Sequence, residues 1–304
     1  EGSFFEITTL LAFRYFEAQK VDLSVIEVGM GGLIDATNIF TPSLSIITNV
    51  TLEHTHYLGS KVEDIAFAKA GIIKEKVPVL LGHMSGAPLK VIETVANSKS
   101  SPIHMTKGVK NIRMSQNDVS FDYDKCKKVR LATFSLYEVL DASIAIEATQ
   151  TLKSAFPLKL DQLYKGLLST KMPGRMEVMQ SNPLVIVDGA HNPAAIRALV
   201  DSLKMYQGRP MSIVFAAFKD KDVLSEFPML EELTKDITLT TFNHHRARKQ
   251  DEYPTIRYPF DYDYQRLIVQ KIKQCPDNGI VLITGSLAFA GVVRQIWKGV
   301  KEHE

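Results

Sequence analysis

The sequence has 304 residues, 45% of them hydrophobic and 23% charged, a composition typical of a folded soluble protein that excludes disorder and collagen-like repeats. Its 36 basic and 34 acidic residues give a formal net charge of +2, which indicates neither a nucleic-acid partner nor an acidic tail. A chain of this length predicts two domains.

The cysteines and the apolar stretches limit the class of protein further. Cys126 and Cys275 form no Cys-x-x-Cys pair, which excludes a disulfide framework and a zinc ribbon. Reduced thiols in a cytoplasmic protein are therefore expected. The most apolar late stretch, residues 279–293, is shorter than the roughly 18 residues of a membrane span, so no membrane partner is expected.

Short apolar runs alternate with helical patterns along the first half of the chain. Such alternation predicts a parallel sheet with right-handed crossovers. Residues 102–133 break the pattern with short, polar, strand-like pieces, which predict an antiparallel insertion. The other predicted elements are an amphipathic segment over 4–18, buried strands over 21–27, 45–48 and 77–81, and helices over 62–73, 136–155 and 160–168.

The alternation restarts after residues 169–174, the best candidate for a linker. A second α/β domain of about 130 residues is therefore predicted, near the usual domain size. Its strands are predicted over 184–187, 211–215, 237–242 and 280–283, and its helices over 193–206, 223–230, 262–274 and 286–300.

A glycine-rich segment, Glu27-Val28-Gly29-Met30-Gly31-Gly32, follows the first predicted strand. The third glycine of a G-x-G-x-x-G fingerprint would fall at Ile34, so a dinucleotide loop is excluded. A carboxylate at the end of a parallel strand can hold a divalent cation, which makes Glu27 a candidate metal ligand. The alternative is a tight turn with a capping acid, since Gly, Asp and Asn are common in turns.

A second polar cluster, Glu53-His54-Thr55-His56, follows the strand predicted over 45–48. No further His or Cys stands at a zinc-site spacing, and a plain polar loop is the alternative interpretation. His54 and Glu27 on neighbouring strand ends would form one site, whose metal the chemistry leaves open.

Lys69 shares a predicted helix face with apolar residues at three- and four-residue spacing, among them Ile65, Ala66 and Ile72. An ammonium on a packed face is unfavourable unless it is paired, deprotonated or chemically modified. A carbamate on Lys69 would turn the cation into an anion able to lie beside a metal. The alternative is a flexible side chain that extends to the edge of the helix.

A third cluster, Asp188-Gly189-Ala190-His191-Asn192-Pro193, ends the strand predicted over 184–187. Asn192 and Pro193 suit a helix start, whose free N–H groups attract anions and would place His191 beside a phosphate-sized site. Two loops, 219–222 and 284–286, are expected at the same sheet edge. The first is alternatively a solvated run of charges, and the second resembles an amide-lined anion turn.

Six ordered motifs, at 27–38, 51–59, 68–74, 172–177, 188–193 and 284–287, resemble the folylpolyglutamate synthase/dihydrofolate synthase family of the Mur-ligase superfamily. The resemblance implies an α/β protein: a P-loop-type parallel-sheet domain over 1–171, truncated at its N-terminus, and a smaller Rossmann-like domain over 172–304. It implies an ATP- and magnesium-dependent ligase that activates a folate carboxylate as an acyl phosphate for attack by the glutamate amine. A monomer with small-molecule substrates is the default.

The same resemblance assigns roles to individual residues. Glu27 and His54 match magnesium ligands, and Lys69 matches a carbamylated lysine. Folate contact is implied for Ile34, Asp35 and Ala36. ATP contact is implied for Arg175, Asp188 and Ser286, and a catalytic role for Lys69 and His191.

The sequence departs from the family at several positions. A G-T-N-G-K-G-S-like phosphate loop is absent from the 304 residues, so little or no ligase activity is expected of this stretch alone. Leu33, Glu53 and Asp141 stand where the family has arginine, aspartate and an ATP-contacting asparagine. Two alternatives remain: a related ligase for another acid and amino acid, and a non-catalytic protein that binds folate or nucleotide.

Overall fold

The computed structural model describes residues 2–52, 54–115, 118–255 and 257–301. The chain divides into two compact units. The first unit comprises the chain up to Val109 together with Leu140–Leu163, and the second comprises Lys110–Val139 and the chain from Tyr164 onward. The domain boundary predicted between residues 171 and 172 stays a prediction.

The first unit contains a three-stranded parallel sheet of β1 (Ser45–Ile47), β2 (Val79–Leu81) and β3 (Ile103–Met105), in that order. The sheet packs against apolar residues of α3 (Val62–Ala70) and α4 (Ala87–Ser98), and the core includes Ile47, Ala66, Ala70, Val79, Leu81 and Ile92. The predicted strands 45–48 and 77–81 and the helix predicted over 62–73 are therefore confirmed, with shorter ends.

The amphipathic segment predicted over 4–18 is helix α1 (Phe4–Gln19). Ser3 begins the helix through a capping box: its hydroxyl accepts from the Glu6 N–H, and the Glu6 carboxylate accepts from the Ser3 N–H. Several apolar side chains of α1 are nevertheless exposed, with Phe4 86% and Leu11 63% accessible.

The buried strand predicted over residues 21–27 is wrong. The segment pairs with no strand among the described residues, and Val25 is 87% exposed. A run of apolar residues becomes a strand only where a neighbouring strand satisfies its N–H and C=O groups, and no described strand does so.

An antiparallel sheet of β4 (Val109–Met114), β5 (Val119–Tyr123) and β6 (Cys126–Leu131) follows β3. The predicted insertion is confirmed except at its start, because β3 pairs parallel with β2. Alternate residues of β5 are buried, including Phe121 and Tyr123, as expected of a sheet with one packed face. Helices α5 (Leu136–Thr151) and α6 (Leu160–Ser169) come next, near their predicted positions.

The second unit contains a six-stranded sheet in the order β11-β10-β9-β12-β8-β7, parallel except for β7. The strands are β7 (Glu177–Ser181), β8 (Leu184–Val187), β9 (Met211–Phe215), β10 (Ile237–Thr240), β11 (Phe260–Asp261) and β12 (Ile280–Thr284). All predicted strands of this domain are confirmed, and β7 and β11 were not predicted.

Helices cover both faces of this sheet. Residues of α7 (Pro193–Leu203) and α8 (Phe227–Leu230) pack on one face, and residues of α9 (Tyr264–Gln274) and α10 (Leu287–Lys301) pack on the other. α8 is shorter than predicted because Pro228 lacks an N–H and fits only the first turn of a helix. In the described part of the chain, no helix has the length and apolar character that crossing a membrane requires.

Candidate active site

In the first unit, the glycine-rich loop lies on the C-terminal end of α3, the helix that carries Lys69. The Leu33 N–H donates to the Ala68 carbonyl at 2.9 Å. The Asn38 side-chain amide donates to the carbonyls of Leu33 and Gly71 at 3.2 and 3.1 Å. The motifs at 27–38 and 68–74, distant in sequence, are therefore joined by hydrogen bonds.

The turn that contains His54 contacts the same loop. His54 adopts a left-handed conformation (φ 50°) immediately before α2 (Thr55–Leu58). A Cβ on Gly31, whose φ is +67°, would lie 2.9 Å from the Leu58 side chain. A Cβ on Gly32 would lie 3.0 Å from the carbonyl oxygens of Ala68 and Lys69. The loop needs glycine here because its backbone touches both helices.

The side chains of Glu27 and His54 are exposed at these segments. A carboxylate oxygen suits magnesium, whereas an imidazole is a less common magnesium ligand. Among the described residues no group of three or more His, Cys, Asp and Glu side chains could hold a metal ion. Glu53 lies outside the described residues, and the side chain of His56 does too. The assignment of Glu27 and His54 as metal ligands stays a prediction.

Lys69 is half-buried, beside the fully buried residues Ile65, Ala66 and Ala70 of the same helix. The packed face predicted for α3 is therefore confirmed, and Lys69 lies at its margin. The carbamate predicted for Lys69 remains a prediction.

Asp35 closes the turn after the glycines. Its Oδ1 accepts from the Thr37 N–H and hydroxyl at 3.0 and 2.6 Å, and its Oδ2 accepts from the Met30 N–H at 2.9 Å. Partial burial favours a higher pKa, but these hydrogen bonds outweigh it and lower the pKa of Asp35. The carboxylate therefore shapes the loop and stays ionised.

The neighbours of Asp35 differ in exposure. Ile34 is 93% exposed. Ala36 lines an open cleft of about 440 Å³ together with Ile39 and residues of α1, including Glu6, Thr9 and Leu10. The folate contacts predicted for Ile34, Asp35 and Ala36 remain predictions.

In the second unit, Asp188 lies at the carboxyl end of β8 and is only 1% exposed. Its Oδ2 accepts from the Tyr137 hydroxyl and from the Met176 N–H, each at 2.8 Å. Its Oδ1 accepts from the Ala190 N–H, also at 2.8 Å. Hydrogen bonds to a carboxylate are stronger than bonds between neutral groups, so Asp188 organises the segments around it.

The turn that contains Arg175 is one of those segments. The Gly189 N–H donates to the Gly174 carbonyl at 2.8 Å. The Gly174 N–H donates to Glu177 at 2.7 Å, and the Glu177 carboxylate pairs with Arg294 at 2.6 Å. Arg175 itself is half-buried on this turn.

His191 and Ser286 lie at the same sheet edge as Asp188. The His191 Nδ1 is 2.8 Å from the Gly189 carbonyl oxygen. The Gly285 N–H donates to the Ala190 carbonyl at 3.1 Å, which joins the loop after β12 to the loop after β8. Ser286 is 2% exposed at the start of α10.

The predicted caps and edge loops agree with this arrangement. The Asn192 side chain accepts from the Ala195 N–H at 2.8 Å and begins α7, which confirms the predicted cap. Hydrogen bonds thus join the segments that carry four predicted site residues: Arg175, Asp188, His191 and Ser286. Their ligand contacts remain predictions.

The predicted loop 219–222 is held by ion pairs to a second loop. Asp220 pairs with Arg246 through two oxygens at 2.9 and 3.0 Å, and Lys219 pairs with Glu252 at 2.7 Å. The guanidinium of Arg248, which is 8% exposed, donates to the carbonyls of Lys219 and Lys221 at 2.8 Å.

Three residues near these sites were missed from the sequence: Tyr137, Arg248 and Glu226. Tyr137 stands 51 positions before its partner Asp188, so no local pattern marks the pair. Glu226 is fully buried, and neither carboxylate oxygen has a hydrogen-bond partner among the described residues. Glu226 lies in the helix predicted over 223–230, and no local pattern marks it as buried.

Comparison with known proteins defines the class. The Mur ligase middle domain matches residues 3–148, and the Mur ligase, glutamate ligase domain matches residues 174–287. The chain is thus built from two Mur ligase domains.

Individual relatives define the family within that class. The chain is 31% identical to the folylpolyglutamate synthase of Lacticaseibacillus casei, over 98% of this chain and 72% of the relative. It is 31% identical to the dihydrofolate synthase/folylpolyglutamate synthase of Bacillus subtilis, over 96% and 71%. The apo form of the L. casei enzyme superposes with a TM-score of 0.85 at 27% identity, covering 97% of this chain and 71% of that structure. The chain belongs to the folylpolyglutamate synthase/dihydrofolate synthase family.

Proposed function

We propose that the protein is an ATP-dependent ligase that adds L-glutamate to a folate or to dihydropteroate. The observation that carries the proposal is the similarity to these synthases over 98% of the chain, with the motif segments of each unit joined by hydrogen bonds. A related synthase has been solved with AMPPCP and folate; it is 29% identical, has a TM-score of 0.85 and aligns over 97% of this chain and 71% of its own. Its ligands support ATP and a folate as substrates.

The proposed reaction has two balanced steps. A folate carboxylate oxygen attacks the γ-phosphorus of ATP, which forms an acyl phosphate and releases ADP. The neutral amine of glutamate then attacks the acyl carbon, inorganic phosphate leaves with the C–O bond electrons, and the amine loses a proton. The protein contributes mainly position and charge to such phosphoryl transfer.

The residues of the first unit would hold the metal ion and the folate. Magnesium, when bound, neutralises charge on the transferring phosphoryl group. Glu27 and His54 are the proposed ligands, and a carbamate on Lys69 would add an anion beside the ion. Lys69 is half-buried at the end of α3 on which the glycine-rich loop lies, a position that supports its proposed place in this site. The cleft lined by Ala36 is the proposed folate-contacting surface of this unit.

The residues of the second unit would contact ATP and assist the amine. Arg175 lies on a turn fixed by Asp188 and is proposed to bind the nucleotide together with Asp188 and Ser286. His191 is the proposed catalytic residue of this unit, since it directly precedes the N-terminal end of α7, where the helix dipole favours anions. Lys69 is the proposed catalytic residue of the first unit.

The proposal includes a cytoplasmic monomer. Cys126 is buried and Cys275 is half-buried, and both are free thiols, which supports a reducing compartment.

The test uses the complete polypeptide that the gene encodes. ADP release is measured with tetrahydrofolate or with dihydropteroate, each in the presence and absence of L-glutamate. Release that requires both the pterin acid and glutamate supports the proposal. Nucleotide turnover that depends on a different acid or amino acid would replace it with a related ligase, and folate binding without turnover would replace it with a binding protein.

A further inference from the structure

The hydroxyl of Tyr137 donates a hydrogen bond to Asp188 Oδ2 at 2.8 Å. Burial, reinforced by the negative charge of Asp188, raises the pKa of the Tyr137 hydroxyl above its ordinary value. The hydroxyl therefore keeps its proton at physiological pH and is a permanent donor to the carboxylate.

Tyr137 is held in place independently of Asp188. It lies in the first turn of α5, where the preceding N–H, that of Leu136, donates to the Ser202 hydroxyl of α7 at 3.0 Å. The ring of Phe134 packs edge-on against Tyr206 with centroids 5.6 Å apart. The donor thus belongs to a packed part of the second unit and does not depend on a ligand for its position.

The second donor to Asp188 Oδ2 is the backbone of Met176, which adopts a left-handed conformation with φ 42°. A non-glycine residue adopts such a φ only where surrounding contacts hold it. Met176 directly follows Arg175, so the orientation of the Asp188 carboxylate also determines the shape of the turn that presents Arg175.

We propose that Tyr137 is a positioning residue of the nucleotide-binding site, which fixes the Asp188 carboxylate and, through Met176, the turn of Arg175. The inference deepens the proposed function and rests on it. Tyr137 would touch no substrate itself. Without its hydroxyl, Asp188 loses its side-chain donor while the two backbone donors, Met176 and Ala190, remain.

The test compares Tyr137→Phe with Tyr206→Phe in the complete polypeptide that the gene encodes. Tyr206 is a matched control because it is 4% exposed and its hydroxyl has no partner among the described residues. ADP affinity is measured by calorimetry. We expect Tyr137→Phe to weaken ADP binding about tenfold, the loss of roughly one charge-assisted hydrogen bond, and Tyr206→Phe to leave it unchanged.

A double-mutant cycle shows whether Tyr137 acts through Asp188. If it does, Tyr137→Phe weakens ADP binding in the wild-type background and adds little in an Asp188→Asn background. Equal losses in both backgrounds would overturn the inference, because they would indicate an effect independent of the carboxylate.

Steady-state kinetics separates positioning from general damage. We expect Tyr137→Phe to raise KM for ATP about tenfold while KM for glutamate stays within about twofold of wild type. Equal losses for both substrates, or wild-type ADP affinity in Tyr137→Phe, would overturn the inference and leave the proposed function intact. A wild-type protein that binds no adenine nucleotide would overturn the proposed function itself, and the inference with it.

Discussion

Gly71 lies against the backbone of Leu33 so closely that a Cβ on Gly71 would be 2.3 Å from the Leu33 Cα. This contact packs the glycine-rich loop against the C-terminal end of α3. Since the obstructing atom is backbone, it cannot move aside as a flexible side chain would.

Gly71→Ala is therefore expected to displace the loop that contains the proposed folate contacts. We expect the free energy of unfolding to fall by about 1–3 kcal/mol, the usual range for overpacking, and ligase turnover to fall strongly. Urea unfolding and ADP-release assays measure the two effects. Gly108→Ala is the control in the same unit, because a Cβ there meets nothing within 4 Å. Equal behaviour of the two variants would show that the loop tolerates movement.

Glu27→Gln and Lys69→Ala test the proposed metal site. Each is expected to lower turnover by two orders of magnitude or more, since each removes charge near the transferring phosphoryl group. The assay is ADP release at saturating magnesium, with Glu75→Gln and Lys90→Ala as controls at exposed positions of the same unit. Activity near wild type in both test variants would mean that the metal-site assignment is wrong.

Arg248 joins the loop after β9 to the loop after β10. Its guanidinium donates to the carbonyls of Lys219 and Lys221 at 2.8 Å and to that of Glu252 at 2.6 Å. A lysine has a single ammonium group and cannot donate to all three carbonyls with the geometry of the planar guanidinium. Arg248→Lys is thus expected to lower the free energy of unfolding by about 1–3 kcal/mol.

Thermal unfolding and limited proteolysis of Arg248→Lys check the prediction. We expect new cleavage within residues 217–222, next to Lys219 or Lys221. Lys249→Arg, at an exposed neighbouring position, is the control. An unchanged cleavage pattern in Arg248→Lys would show that the ion pair of Asp220 with Arg246 suffices to hold the loops.

The four predicted strands of the six-stranded sheet were predictable because each is a short apolar run that the structure buries almost completely, as in β8 (Leu184–Val187). Residues 21–27 form a similar run, yet Val25 is exposed, because sequence periodicity does not reveal whether a partner strand lies alongside. The loops after β8 and β12 were likewise predicted to lie at the same sheet edge, because both follow the carboxyl ends of parallel strands. The pairing of Tyr137 with Asp188 depends on tertiary packing and left no local signal.

The burial of Glu226 was likewise not predictable from its local sequence. This burial leads to a prediction about the pH dependence of stability. Burial raises the pKa of Glu226 to about 8, and the nearby carboxylate of Asp222 adds to the rise, while Lys221 and Arg248 oppose it. The ordinary pKa of this carboxyl is 4.5. Between these two values the folded protein keeps the proton that the unfolded chain has lost. Glu226 therefore lowers the free energy of unfolding progressively as pH rises from about 4.5 to about 8.

Glu226→Gln removes this titration. We expect the variant to be more stable than wild type at pH 8.5, by about 5 kcal/mol at most for a shift of this size, and to gain less at pH 5. Urea unfolding at both pH values measures the difference. Asp251→Asn, at an exposed position of the same unit, is the control and should leave the pH dependence of wild type intact. If Glu226→Gln and wild type lose the same free energy between pH 5 and pH 8.5, Glu226 is ionised in the folded protein and has a counter-charge that the packing does not show.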